Sequence, residues 1–207
     1  MSLVQVQGAP GIMEDEQGKR YRIVDAQPRV LFDTVVVTTG LQTANAEYLF
    51  FQNTANKKGQ HTNMGNQKRI PAGRFFELHR VGINVHPTVD GNTEVTAADM
   101  KKAIDTAYFE FQVNSIEIAK GPVIHYPSGY GASGLDGDTG VLNNGVPSQA
   151  AQTGLSAPTI IPDQVALNGK IVFFDATWNA SSQLPNFGSR LYISLELSGV
   201  LFTAATI

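Results

Sequence analysis

The chain has 207 residues, no cysteine and a formal net charge of −3. The absence of cysteine excludes disulfides, cysteine-ligated metals and cysteine nucleophiles, and the slight acidic excess excludes a general basic field that would attract nucleic acid. Charged residues make up 16% of the sequence, against roughly 25% in typical soluble domains. Such low charge is typical of surfaces that are buried against neighbouring subunits.

Residues 1–28 combine small, charged and a few apolar residues, and we expect them to form an extended N-terminal arm. The arm is either a clamp on a neighbouring subunit or a frayed terminus that is tied down at one or two points. It has no basic region followed by an apolar run, so we expect no signal peptide. The remaining residues, 29–207, are expected to form one domain, because β sandwiches of this length commonly stay single.

Alternation of apolar and polar side chains predicts two long strands at residues 74–86 and 108–119, since successive side chains of a strand point to opposite faces. In the second strand the apolar phase changes after Asn114, which predicts a bulge. Further strands are predicted at residues 30–39, 47–52, 121–126, 170–178 and 190–204. In the last of them the phase changes at Ser198 and Gly199, which predicts a second bulge.

A single helix is predicted at residues 97–107, because Met100, Ala103, Ile104 and Ala107 form one apolar stripe at helical spacing. We expect this stripe to pack against the sheet. Residues 127–166 are rich in glycine, serine, asparagine and alanine without sustained alternation, and are predicted to form a long irregular loop insertion. The predicted fold is therefore all-β, a single jelly-roll-like antiparallel sandwich with one short helix and a long irregular loop.

The sequence contains no recognisable enzyme signature, and we expect no catalytic, cofactor-binding or metal-binding residues. The four histidines, His61, His79, His86 and His125, are scattered, and no two of them are spaced as in a His-x-His metal motif. Residues 135–140 resemble the start of a calcium loop but lack its third acidic position and its final glutamate. Three strand carboxylates, Glu77, Glu110 and Glu117, remain open as candidates for a pair that acts on a substrate.

A polar loop at residues 53–70 carries five basic or titratable side chains, Lys57, Lys58, His61, Lys68 and Arg69. Such a loop either contacts phosphate or lipid head groups or is simply solvated.

The segment from Tyr48 to Val85 contains four short motifs in series. They are Phe50-Phe51-Gln52-Asn53-Thr54, Thr62-Asn63-Met64, Ile70-Pro71-Ala72-Gly73-Arg74-Phe75 and Val81-Gly82-Ile83-Asn84-Val85. This pattern resembles the capsid proteins of tailless icosahedral bacteriophages. The resemblance covers less than a fifth of the chain, and a single jelly roll fits better than two fused ones, which would need a longer chain.

The resemblance implies a structural virion protein, a capsid subunit that is made in the host cytoplasm and assembles into an icosahedral shell. The implied partners are other copies of the chain in a ring or lattice, with other capsid proteins or an underlying membrane as further partners, and nucleic acid contact is not expected to be strong. We expect the segment 127–166 to be ordered by neighbouring copies.

Two other functions remain open. One is a carbohydrate-binding or adhesion module of the same fold that uses exposed aromatic side chains, with Tyr126, Tyr130 and Trp178 as candidates. The other is a sandwich hydrolase or isomerase that works through strand carboxylates. A sugar module needs its aromatic rings exposed and close together, whereas an enzyme needs a concave pocket with perturbed carboxylates.

Overall fold

The computed structural model describes residues 3–7, 11–15, 17–38, 46–65, 68–86, 103–128, 132–136, 140–144, 151–174 and 190–206. The first six strands are β1 (Leu3–Gln5), β2 (Ile12–Asp15), β3 (Arg20–Thr38), β4 (Ala46–Phe50), β5 (Arg74–His86) and β6 (Ala107–Val113). The other six are β7 (Ile116–Pro122), β8 (Ala132–Asp136), β9 (Gly140–Asn144), β10 (Thr153–Ile161), β11 (Leu167–Phe173) and β12 (Arg190–Thr206). Two short 3-10 helices cover Thr54–Asn56 and Val123–His125.

The strands form two main antiparallel sheets. One has the order β1-β2-β3-β12-β5-β10 and the other β4-β11-β6-β7, while β8 and β9 form a separate hairpin. Without the two small hairpins, the eight remaining strands occupy the positions 1-8-3-6 in one sheet and 2-7-4-5 in the other. This is the strand order of a jelly roll, two Greek keys folded into a sandwich. The predicted fold class is therefore confirmed.

The main core lies between the two sheets and is built from aliphatic and phenylalanine side chains. The largest fully buried side chains are Phe50, Phe51, Ile70, Phe76, Leu78, Phe109, Phe111, Ile161, Leu167 and Phe173. Their alternation with outward-facing polar residues is what made β5 and β6 recognisable in the sequence. β5 has the predicted bounds, and the strands predicted at 30–39, 47–52 and 190–204 correspond to β3, β4 and β12. Of the strand predicted at 170–178, residues 170–173 lie in β11, and residues 175–178 lie outside the described residues.

A second, smaller cluster covers the opposite face of the six-stranded sheet. Tyr21, Phe75 and Phe202 form it, with ring centroids 5.4 Å apart for Tyr21 and Phe75 and 5.7 Å for Phe75 and Phe202. Both faces of this part of β12 are therefore buried, because Leu201 faces the main core. The pairing of β12 with β5 does shift between Ser198 and Gly199, as predicted, but the phase change in the sequence arises because apolar residues occupy both faces of β12.

The bulge lies in β5 instead. The partner of β12 moves from Arg80, opposite Ser198, to Leu78, opposite Gly199, which leaves His79 as the extra residue. A Cβ on Gly199 would lie 1.9 Å from the carbonyl oxygen of Glu77. Glycine is needed at this position because the bulged backbone of β5 occupies the space of any side chain.

The described residues of the N-terminal segment belong largely to the six-stranded sheet. β1 pairs with β2, and β2 pairs with residues 20–22 of β3. The predicted boundary after residue 28 falls inside β3, whose residues 21–38 pair along β12. Strands therefore replace the predicted extended arm in this segment. They are held by the second cluster, in which Tyr21 is buried and Met13 and Ile23 pack against it.

The strand predicted at residues 108–119 is a hairpin. Asn114 and Ser115 both have positive φ, 48° and 68°, and connect β6 to β7 as a two-residue turn. Two positive φ values are typical of the type I′ turn that suits tight hairpins. A bulge does follow, at Ile118, where the pairing moves from Gln112–Glu117 to Phe111–Ala119. Of the strand predicted at residues 121–126, the first two complete β7 and the next three form a 3-10 helix.

The segment predicted as a long irregular loop, residues 127–166, contains three strands. β8 and β9 pair with each other, and β10 is an edge strand of the six-stranded sheet. β10 pairs with β5 at residues 153–154 and 159–161, and the pairing is interrupted between them at Pro158 and its neighbours. Proline is tolerated in such an edge strand, but the interruption removes the alternation by which the strand would be recognised.

The predicted helix is observed in part. Residues 103–106 are helical, β6 begins at Ala107, and residues 97–102 lie outside the described residues. Ala103 and Ala107 are buried in the main core, and Ile104 packs against it. The predicted contact of this stripe with the sandwich is confirmed for these three residues, while Met100 lies outside the described residues.

Candidate functional site

The Thr62-Asn63-Met64 motif covers the outer edge of β3. The Asn63 side chain donates to the carbonyl oxygen of Val30 at 2.6 Å and accepts from the backbone N–H of Phe32 at 2.8 Å. The Thr62 hydroxyl donates to the carbonyl oxygen of Phe32 at 3.0 Å. Pairing the open N–H and C=O groups of an edge strand prevents another chain from adding to it. In this chain the motif therefore protects a sheet edge.

The basic loop is anchored by a buried ion pair. Asp33 of β3 is fully buried, and Lys57 Nζ lies 2.6 Å from its Oδ2 atom. The same ammonium donates to the carbonyl oxygen of Thr34 at 2.9 Å, and the N–H of Phe51 donates to Asp33 Oδ2. Removing either partner would leave a buried charge uncompensated. Lys57 therefore stabilises the fold and is not available to a ligand.

The four-stranded sheet carries a row of paired charges on its outer face. Lys170 Nζ lies 3.2 Å from Glu110 and 4.0 Å from Glu47, and Lys120 Nζ lies 3.1 Å from Glu117. Although burial alone would raise the pKa of Glu110, the hydrogen bond and charge of Lys170 lower it below its usual value. Lys170 of β11 thus stabilises the charged form of Glu110 across the strands, whereas Lys120 pairs with Glu117 on its own strand, β7.

Of the three carboxylates left open as an enzyme pair, Glu77 lies on the opposite side of the sandwich from Glu110 and Glu117. Glu77 faces outward from the six-stranded sheet and lies 3.3 Å from His79. Glu110 and Glu117 belong to the other sheet, on the outer face of the sandwich, and each contacts a lysine. Glycoside hydrolysis needs two carboxyl groups about 5 to 9.5 Å apart across one cleft. Glu77 cannot form such a pair with either of the others, because the sandwich core lies between them.

The histidines occupy separate positions. His61 stacks on Tyr192 with ring centroids 5.6 Å apart, His79 contacts Glu77, and His125 ends a 3-10 helix. Within the ranges that the structure describes, no group of three or more potential ligands is arranged to hold a metal ion. The calcium-like segment 135–140 includes residues 137–139, which lie outside those ranges.

Tyr126 supports the fold and is not a free aromatic platform. Its hydroxyl donates to the carbonyl oxygen of Lys120 at 2.9 Å and accepts from the Lys120 N–H at 3.0 Å. Its ring packs edge-on against Phe109, with centroids 5.2 Å apart. Tyr130 and Trp178, the other candidates for sugar stacking, lie outside the described residues.

A buried polar patch that the sequence does not reveal lies on the outer face of the six-stranded sheet. Glu196 of β12 is only 7% exposed, and Gln152 Nε2 donates to its carboxylate at 3.4 Å. The hydroxyl of Ser198 donates to Gln152 Oε1 at 2.8 Å. Burial raises the pKa of Glu196 to about 7, and a hydrogen bond from Asn84 offsets only part of this effect. The carboxyl group therefore changes its charge near neutral pH.

A cavity of about 600 Å³ opens at the end of the sandwich that carries Arg29 of β3, Arg74 of β5 and Leu201 of β12. Three arginines line it together with apolar and amide side chains. The lining residues are Arg29, Leu31, Asn63, Met64, Gly65, Arg69, Ile70, Pro71, Ala72, Arg74, Gln164 and Leu201. Of the five basic or titratable side chains of the loop at residues 53–70, only Arg69 belongs to this lining. The sequence does not predict this site, because its arginines come from two strands and the loop.

No protein-family model matches this sequence, and no curated protein is detectably similar to it. Among the described residues, no helix is both long enough and apolar enough to cross a membrane.

Proposed function

We propose that the chain is a structural subunit of a virion, a capsid protein that assembles into an icosahedral shell. The observation that carries this proposal is the jelly-roll strand order of the two sheets. Viral capsid domains, lectins and cupins share this architecture. A cupin would need clustered histidines, and among the described residues no such cluster is found. A lectin would need free aromatic side chains, whereas Tyr126 is hydrogen-bonded to the backbone of Lys120.

The contacts between copies are proposed to involve the four-stranded sheet and its ends. Among the described residues, six large apolar side chains are exposed, and four of them belong to this side of the molecule, Leu49, Ile116, Ile124 and Phe174. Phe174 is 57% exposed, and its ring centroid lies 5.6 Å from that of Tyr108. Exposed apolar side chains on a surface with few unpaired charges are typical of the centres of subunit interfaces.

The partners in this proposal are other copies of the chain in a ring or lattice, with other capsid proteins or an underlying membrane as further partners. Head-to-tail contacts between unlike surfaces close such rings. The net charge of −3 does not favour strong nucleic acid contact.

The test is the mass of the purified protein as a function of concentration and salt, measured by light scattering, together with negative-stain electron microscopy. We expect rings, shells or shell fragments. Mass spectrometry of virus particles from the source that encodes the chain is expected to find it in the particle. A protein that stays monomeric under all conditions and is absent from such particles contradicts the proposal.

Single substitutions test whether the four-stranded sheet and its ends form the contacts between copies. Ile124→Glu and Phe174→Glu are expected to weaken assembly at least tenfold without lowering the melting temperature, because each places a charge in a contact between copies. Val24→Glu is the matched control, because Val24 is 65% exposed but lies on the six-stranded sheet. Equal loss in all three variants would contradict the assignment of the surface. Glycan-array binding by a monomeric protein would favour the carbohydrate-binding alternative.

A further inference from the structure

The cavity at the end of the sandwich has two chemically different walls. One wall is the inner face of three adjacent strands, with Arg29 and Leu31 on β3, Leu201 on β12 and Arg74 on β5. The other wall is formed by residues 63–65 and 69–72, which include Met64 and Arg69, with Gln164 beside them. Leu31, Met64, Ile70 and Leu201 belong to the main core, so this apolar floor is fixed by packing.

The charge of the cavity is not compensated by the described residues. Arg29, Arg69 and Arg74 are exposed and form no ion pair with any of them. None of the described residues that line the cavity is acidic. The neighbouring carboxylate, Asp163, accepts a hydrogen bond from the N–H of Gly73 at 2.8 Å. Three of the chain's 15 basic residues therefore meet at one cavity, where a low-dielectric wall strengthens their attraction for an anion.

We propose that this cavity binds a phosphate group that is attached to an apolar body. A carboxylate offers two oxygens and one charge, which suits one guanidinium, whereas a phosphate monoester offers three oxygens and a charge near −2. Three arginines on separate elements match the phosphate, because each can donate to a different oxygen. The apolar floor would contact the apolar body of the ligand. The cavity volume, about 600 Å³, lies in the usual range for small-molecule sites.

Two sources present this chemistry, a soluble phosphorylated molecule and a lipid head group. Hexyl phosphate, inorganic phosphate and hexanoate are the soluble probes, and their binding is measured by titration calorimetry. We expect hexyl phosphate to bind more tightly than either of the others, because only it has both a phosphate and an apolar chain. Flotation with phosphatidylglycerol vesicles and with phosphatidylcholine vesicles distinguishes a lipid head group from a soluble ligand.

The decisive variant is Arg29→Gln/Arg69→Gln/Arg74→Gln. We expect hexyl phosphate affinity to fall about 100-fold or more, since each charge-assisted hydrogen bond contributes about a factor of ten. The matched control, Arg20→Gln/Arg22→Gln/Lys120→Gln, removes the same charge outside the cavity and is expected to bind as the unmodified protein does. Arg69→Gln alone, in the loop, tests the site without altering a strand.

The outcomes of these binding measurements either support or overturn the proposed phosphate site. Loss of binding in the cavity variants but not in the control supports the site, and the same dependence with phosphatidylglycerol vesicles identifies a lipid head group as the ligand. Equal loss in both triple variants, equal affinity for hexanoate and hexyl phosphate, or no binding of hexyl phosphate overturns the proposal. The site does not depend on whether the chain is a virion subunit.

Discussion

Replacement of Glu196 by glutamine is expected to stabilise the protein at neutral pH. The carboxyl group has a pKa of about 7 in the folded protein because it is buried, against an ordinary value of 4.5. Below pH 4.5 it is protonated in both states. As the pH rises from 4.5 to 7, the Glu196 carboxyl ionises in the unfolded protein but stays largely protonated in the folded one. The free energy of unfolding therefore falls over this range, and above pH 7 the loss is complete. The difference corresponds to about 3 kcal/mol.

Glutamine has the same shape, stays neutral at every pH and still accepts a hydrogen bond. Glu196→Gln should therefore match the unmodified protein near pH 4.5 and exceed its free energy of unfolding by about 3 kcal/mol at pH 8. The melting temperature at pH 8 should rise by about 6–12 °C for a domain of this size. Urea unfolding and thermal melts between pH 4.5 and 8.5 measure both quantities.

Glu77→Gln is the matched control, because Glu77 is a half-buried carboxylate on the same face of the same sheet, with 36% of its side chain exposed. We expect it to change stability by no more than about 1 kcal/mol, the range for exposed ion pairs. The absence of any gain for Glu196→Gln at pH 8, or an equal gain at pH 4.5 and pH 8, would show that burial does not govern the ionisation of Glu196.

Four further outcomes follow from the fold. Gly199→Ala should prevent folding or cost more than about 3 kcal/mol, because its Cβ would lie 1.9 Å from the Glu77 carbonyl oxygen; a normal urea midpoint would contradict the bulge. Ile104→Asp should cost several kcal/mol by burying an unpaired charge, and a melt within two degrees of the unmodified protein would show an exposed stripe. Asn63→Ala should cost about 1 kcal/mol and increase aggregation by opening the edge of β3, which light scattering measures; unchanged scattering would show that Asn63 does not protect this edge. Metal analysis of untagged protein should find no equimolar zinc, iron or manganese, and chelation should leave the melting temperature unchanged.

The long strands were predictable because one buried face produces strict alternation, as Phe76 and Leu78 show on β5. The β6–β7 hairpin was missed because its turn is Asn114-Ser115, without the glycine that usually marks a type I′ turn. β10 was missed because Pro158 interrupts its pairing. A pattern within one strand reveals which face is buried, but not what the rest of the chain places on the other face.

The polar sites depend on residues that are distant in sequence. Glu196 alternates with Leu195 and Leu197, which predicts a solvent-exposed carboxylate. It is buried because Gln152 and neighbouring segments pack on the outer face of its strand. The arginine cavity likewise combines three elements. Neither arrangement has a local signature, because the spacing between its members is set by the jelly-roll connections and not by strand periodicity.

The central position of β12 has a consequence for how the chain is made. β12 lies between β3 and β5 in the sheet but is synthesised long after both of them. Until then, β3 and β5 lack their shared partner, and their apolar faces and backbone groups are open to other nascent chains. Arg190 pairs with Thr38, so this sheet closes only through long-range contacts, which form slowly. We expect the six-stranded sheet to stay incomplete until β12 has been synthesised, and production of the protein to improve when synthesis is slowed or chaperones are abundant.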